Sequence, residues 1–157
     1  MCKCTLDDAP FVLELLRDPA YIRFIGDRGV RTLDEARNYI GYKFLESYRR
    51  NGFGMFLAKL RDGGETIGIC GLVQRDFLEH PDIGFAFLPR FRGHGYAAEA
   101  TEAVRHYARE TLGLRRLFAI TLPDNARSLR VLDRLGMAYQ RMVDMDGEAC
   151  QLLAVDL

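Results

Sequence analysis

The residues best suited to chemistry lie at Arg90-Phe91-Arg92-Gly93-His94-Gly95, between an apolar run ending at Leu88-Pro89 and a helix starting near Tyr96. The first-turn amides of a helix have no intrahelical partner and point outward with the positive end of the helix dipole. Glycines, lacking Cβ, let an anion approach the backbone closely. Strand end, glycines and helix start together make an anion site suited to a pyrophosphate, to which Arg90, Arg92 and His94 can add charge. The third glycine and downstream acid of a dinucleotide fingerprint are absent, and so is the Gly-Lys-Ser/Thr of a P-loop. Alone, the segment also fits a plain strand-to-helix turn, or a phosphate- or nucleotide-binding protein.

The elements that must position it are legible. Ile83-Gly84-Phe85-Ala86-Phe87-Leu88 reads as a strand ended by Pro89, which cannot donate to a ladder. Ala97, Ala100, Ala103, Val104, Tyr107, Ala108 and Leu112 keep helical spacing, and Gly113 suits a left-handed cap. Upstream, Asp7 or Asp8 can cap a helix with Pro10 in its first turn. Thr32-Leu33-Asp34-Glu35 is a capping box that opens a second helix ending near Arg50. Between them Tyr21 to Arg31, with two glycines and mixed charge, reads as a loop bordering a substrate site.

Residues 53–60 and 66–73 flank Arg61-Asp62-Gly63-Gly64 as an antiparallel hairpin. A strand over 116–122 leads through Pro123-Asp124-Asn125 to a helix from Ser128 to Leu135, stopped by Gly136. Two strands, 137–145 and 150–156, surround Asp146-Gly147. The order, αα-βββ-α-β-α-ββ after a short first strand, predicts an α/β (α+β mixed-sheet) fold, with residues 1–157 as a single domain.

The chain has 157 residues and is 48% hydrophobic, enough for one core and one active site. Its formal charge is zero, so nothing global draws it to nucleic acid or to an anionic membrane surface. It has no apolar run of about 18 residues to span a membrane, and its start lacks the apolar core of a signal peptide, which predicts a cytoplasmic protein. The four cysteines lack zinc-site spacing, so no metal is expected. Cys2 and Cys4 alternate with Lys3 and Thr5, as on the inner face of a strand.

Arg90-x-x-Gly93-x-Gly95 followed by Tyr96-Ala97-Ala98-Glu99-Ala100 resembles the acyl-CoA motif of the GNAT superfamily of N-acetyltransferases, as does the strand before it. Asn125-Ala126-Arg127-Ser128 and Leu135-Gly136-Met137 resemble the RimJ/RimL branch, which acetylates protein N-termini, and the likeness runs from Thr5 to Leu157. The resemblance implies a sheet splayed after its fourth strand, where backbone groups of Phe87 and Leu88 would bond the pantetheine arm of acetyl-CoA as another strand would. It implies that amides of Arg92, Gly93, His94, Gly95, Tyr96 and Ala97 hold the pyrophosphate, with the Tyr96 ring packing. Arg90 belongs to the motif, Asn125 and Ser128 would lie beside the pantetheine and its sulfur, and Arg127 would contact the cofactor.

Acyl transfer to an amine needs a group that takes a proton and, at the departing thiolate, an acid. Many family members use a tyrosine seven residues after the asparagine, a position held here by Leu132. Ser128 is the favoured replacement, with a helix N-cap as its alternative role. Asp82, at the start of the strand leading to the cofactor, is the first choice for the base and Glu79 the second, while His80 reads as a loop residue. The reading is transfer of acetyl from acetyl-CoA to a primary amine, either a protein N-terminus or a small molecule. The alternative is a non-catalytic acyl-CoA-binding regulatory module that lost its chemistry with the tyrosine. The apolar final strand could pair or pack across a homodimer.

Overall fold

In the computed structural model, which describes residues 1–157, the apolar patterns resolve into one sheet between two helical layers. The chain runs β1 (Cys2–Lys3), α1 (Ala9–Leu16), α2 (Pro19–Ile25), α3 (Leu33–Tyr39), a π-helical segment (Ile40–Leu45) and α4 (Glu46–Asn51). It continues as β2 (Met55–Lys59), β3 (Thr66–Val73), β4 (Asp82–Phe87), α5 (Tyr96–Glu110), β5 (Arg116–Thr121), α6 (Ala126–Arg134), β6 (Ala138–Met145) and β7 (Glu148–Asp156). The sheet order is β1-β2-β3-β4-β5-β7-β6. Every neighbouring pair is antiparallel except β4 and β5.

Alternation along the strands divides the core. Cys70, Leu72, Ile83 and Phe87 face Ala100, Val104 and Ala108 of α5, and Leu117, Ala119 and Leu153 continue this layer to Leu132 of α6. On the other face Leu57 and Ile69 meet Val12, Leu15, Leu16, Ile40 and Phe44. Leu132 is 1% exposed, and truncating so buried a leucine to alanine costs about 2–5 kcal/mol.

Four expectations change. The stretch from Tyr21 to Arg31 is not all loop, because Asp18 accepts the Tyr21 N–H at 3.0 Å and Pro19 presets the first helical position, so α2 forms and buries Tyr21. The second helix is interrupted by the π segment. On a regular helix Tyr39 and Phe44 would lie roughly 140° apart; the wider turn brings their rings edge to face, 5.8 Å between centroids, with both buried. Cys2 is exposed, since β1 ends at Lys3 and only Cys4 reaches the core, where burial and the nearby Asp8 push its thiol up to about 12. A 3-10 turn at Leu6–Asp8 precedes α1, and the Asp8 carboxylate accepts the Thr5 N–H and hydroxyl instead of capping α1.

The Thr32 box forms as expected, with Thr32 Oγ1 accepting the Glu35 N–H at 3.2 Å and Glu35 Oε2 accepting the Thr32 N–H at 2.9 Å and the Arg31 N–H at 2.7 Å. Thr32→Ala should lower stability by about 1 kcal/mol in urea unfolding. The Arg31 and then the Thr32 N–H hold the Glu35 carboxyl below its ordinary 4.5. A lowered native pKa means a contribution fully present above the ordinary value and lost as pH falls through the depressed one. The stability gap between the protein and Glu35→Gln should therefore begin to narrow as pH falls below the ordinary value of 4.5 and close at more acid pH.

Candidate active site

The site begins where the sheet comes apart. β4 and β5 share one bridge, Asp82 with Phe118, supported by the Phe118 N–H donating to Pro81 O at 3.0 Å. Beyond it no ladder joins them. The Leu88 N–H donates back to Ile67 O at 3.0 Å, which makes Phe87 a non-hydrogen-bonded partner of Gly68. By alternation Phe85 and Phe87 turn their backbone groups away from β3, toward the gap. Leu88 thus does not offer its N–H to the gap, and Phe85 does, a residue that the sequence reading passed over.

At the open end of β4, Gly93 and Gly95 adopt φ of 83° and 86°, a left-handed backbone that turns the chain into α5. The amides of Gly93, His94 and Gly95 donate to nothing in the chain. With the first-turn amides of Tyr96, Ala97 and Ala98 they form a run of free donors at the positive end of a 15-residue helix. Tyr96 is half-buried against the α5-side core and stacks on His94, 5.8 Å between centroids.

The arginines are already engaged. Arg90 Nη1 donates to Glu14 at 2.6 Å, and its Nη2 lies 3.6 Å from Glu65. Arg92 Nε donates to Phe87 O at 2.8 Å while its Nη2 binds Asp18, a carboxylate with 5% of its side chain exposed. The donors left free at this corner are therefore backbone amides, while the guanidinium charges are balanced by carboxylates of the chain itself.

Across the gap, Asn125 Oδ1 accepts the Ser128 N–H at 3.2 Å, so Asn125 is the cap of α6, which starts at Ala126, two residues before the expected start. The capping alternative for Ser128 is thereby removed, and the Ser128 hydroxyl has no bond within the chain. Arg127 is exposed and without an ion-pair partner.

Asp82 lies at the closed end of the gap, 3% exposed, held by Arg75 Nε at 2.8 Å and Nη2 at 3.2 Å. Burial raises its pKa above the ordinary 3.8, and Arg75 opposes that rise. Glu79 is exposed; with His80, which tilts against Phe118 at 5.5 Å, it lines a cleft of about 450 Å³ shared with Phe77, Arg116 and Arg141. The structure thus brings Asp82 to the gap and leaves Glu79 in a neighbouring cleft.

The family model for the acetyltransferase (GNAT) domain matches residues 2–138. The chain belongs to the GNAT family of N-acetyltransferases. It is 31% identical over 127 residues to the uncharacterized N-acetyltransferase YnaD of Bacillus subtilis, covering 80% of this chain and 71% of that one. Its fold is shared with the spermidine N-acetyltransferase of Vibrio cholerae in complex with CoA and spermine, at TM-score 0.81 and 12% identity, covering 98% and 92% of the two chains. It is shared equally with RimL, a ribosomal-protein α-N-acetyltransferase in complex with CoA, at TM-score 0.83 and 18% identity, covering 99% and 92%.

GNAT enzymes take acetyl from acetyl-CoA, and the residues of this acetyltransferase fit that donor. The free amides of 93–98 suit a pyrophosphate, and the unpaired edge of β4 suits an amide-bearing arm. Leu132, at the position expected of a tyrosine acid, is sealed in the α5-side core. The loop after α2 sets Arg28 near Tyr21, Tyr39 and Asp146. No helix of this acetyltransferase is long and apolar enough to cross a membrane.

A Cβ at Gly95 would meet no atom within 4 Å, so the cost of Gly95→Ala is conformational alone. About 1–2 kcal/mol is the expected loss in urea unfolding, and a much larger one would mean that the turn packs against something.

Proposed function

We propose that this acetyltransferase moves acetyl from acetyl-CoA to a primary amine, the N-terminal amine of a peptide or that of a small molecule. The observation that carries the reading is the gap between β4 and β5, with free amides at one open corner and the uncommitted Ser128 hydroxyl at the other.

Acetyl-CoA supplies an activated acyl thioester. The amides of Gly93, His94, Gly95, Tyr96 and Ala97 would hold its pyrophosphate, the expected Arg92 amide being already donated to Pro89 O at 3.2 Å, and the edge groups of Phe85 and Phe87 its pantetheine arm. Asn125, with Oδ1 occupied by its cap bond, keeps its amide donor for the same arm. The Ser128 hydroxyl would give a proton to the departing sulfur. Asp82 would take the proton that the amine must lose, directly or through water, and its raised pKa brings it nearer the range useful to a general base.

Acetyl-CoA and CoA should each raise the melting temperature, since a ligand that binds only the native state must stabilise it. Absence of any shift at saturating CoA would overturn the reading. A free-thiol assay over N-terminal peptides and small amines then names the acceptor; thermal stabilisation without thiol release from any of them would favour the non-catalytic module. Ser128→Ala should lower kcat by about tenfold or more with CoA affinity nearly unchanged, and unchanged turnover would remove the serine from the mechanism. In the pH profile of kcat/KM, activity should fall with acid along a limb lying above the ordinary aspartate value of 3.8, and that limb should vanish in Asp82→Asn.

A further inference from the structure

The helix α2 bridges the mouth of the gap. At its N-terminus Asp18 Oδ2 caps the helix through the Tyr21 N–H at 3.0 Å and binds Arg92 of the glycine segment. Arg92 in turn donates from Nε to the Phe87 carbonyl at the open end of β4, 2.8 Å away. Nearer the other end of the helix, Arg23 Nη2 pairs with Asp124 at 2.7 Å, the residue just before Asn125 on the β5 side. The two ties differ in kind. Asp18 is buried and Arg92 three-quarters covered, whereas Arg23 and Asp124 are each more than half exposed and their pairing is weak in water.

We infer that Asp18 and Arg92 act as positioning residues that couple occupancy of the glycine segment to the order of α2. The inference rests on the proposed use of that segment for CoA. Arg92 joins directly to Gly93, the first free amide of the segment, and sends its side chain to α2, so an anion that orders residues 93–97 also fixes the guanidinium that holds Asp18. The weaker Arg23 tie leaves the far end of α2 free to loosen, and the loosening is opposed when Asp18 is held. By linkage, whatever orders α2 must tighten CoA binding by the same factor. A guanidinium aimed at phosphate would give no such coupling, because it would lie on the ligand and away from the helix.

Asp18→Asn separates this role from a structural one, since asparagine caps a helix as well as aspartate does but carries no charge for Arg92. Amide hydrogen exchange with and without saturating CoA reads the outcome. In the unaltered protein, CoA should slow exchange both at residues 93–97 and at the α2 amides of residues 22–26. In Asp18→Asn, protection at 93–97 should persist while the added protection of α2 falls by about fivefold or more, with CoA Kd rising by a similar factor. The double variant Asp18→Asn/Arg92→Gln, which leaves no unpaired charge, should behave like the single one and guards against a folding defect. Equal CoA protection of α2 in protein and variants, or protection of 93–97 without any change in α2, would overturn the coupling. Protection of neither segment would mean that CoA does not bind, which overturns the proposed function with it.

Discussion

Everything at the site depends on a sheet that stops being a sheet. β4 and β5 meet at Asp82 and Phe118 and then diverge, leaving a strand edge in the middle of the molecule. An unpaired backbone N–H or C=O shut away from water is costly, so such an edge persists only where solvent or a ligand completes it. The topology supplies the divergence. The connection from β4 to β5 passes through the glycine segment and α5, whose packing on β3 and β4 holds the first half of the sheet, while the antiparallel pairing of β5 with β7 holds the second. The halves are tied by strand pairing at one end only, while a common core layer runs beneath both.

This arrangement would let a protein of zero net charge hold the pyrophosphate of the proposed donor. Arg90 and Arg92 face carboxylates of the chain itself, and the donors left over are amides fixed by two left-handed glycines and the start of a helix. Fixed dipoles need no reorganisation to meet an anion, and they are satisfied by water when it is absent. The charged side chains are thereby released for another task, which is to join segments distant in sequence. Arg92 reaches Asp18 across 74 positions and Arg23 reaches Asp124 across 101.

Those distances also mark the limit of what the sequence discloses. The strand before the glycines, α5, the β2–β3 hairpin and the Thr32 box were legible because each is a local pattern with a local cause. α2 was not, although Asp18-Pro19 is a sound start signal, because Gly26 and Gly29 downstream argued for a loop and only seven residues follow the cap. The π segment was hidden because a five-residue apolar step looks like noise against a 3.6-residue period. At the site, the residue types were found and their partners were not. The Arg92 pair with Asp18, the Arg75 pair with Asp82 and the single β4–β5 bridge are products of tertiary packing, and no local spacing announces them.

The start of α6 shows how local geometry can divide labour between neighbours. A serine near a helix start reads as a cap, and that role would tie its hydroxyl to the backbone. Here Asn125 takes the cap, moving the start of the helix back to Ala126 and Ser128 to its third position. One side chain satisfies the backbone, and the other is free to meet something outside the chain. One turn further on, Leu132 is fixed in the core, where a tyrosine ring would have to displace packed neighbours. The helix is thus committed to packing at position 132, and the hydroxyl proposed as the acid is the one that Asn125 leaves free.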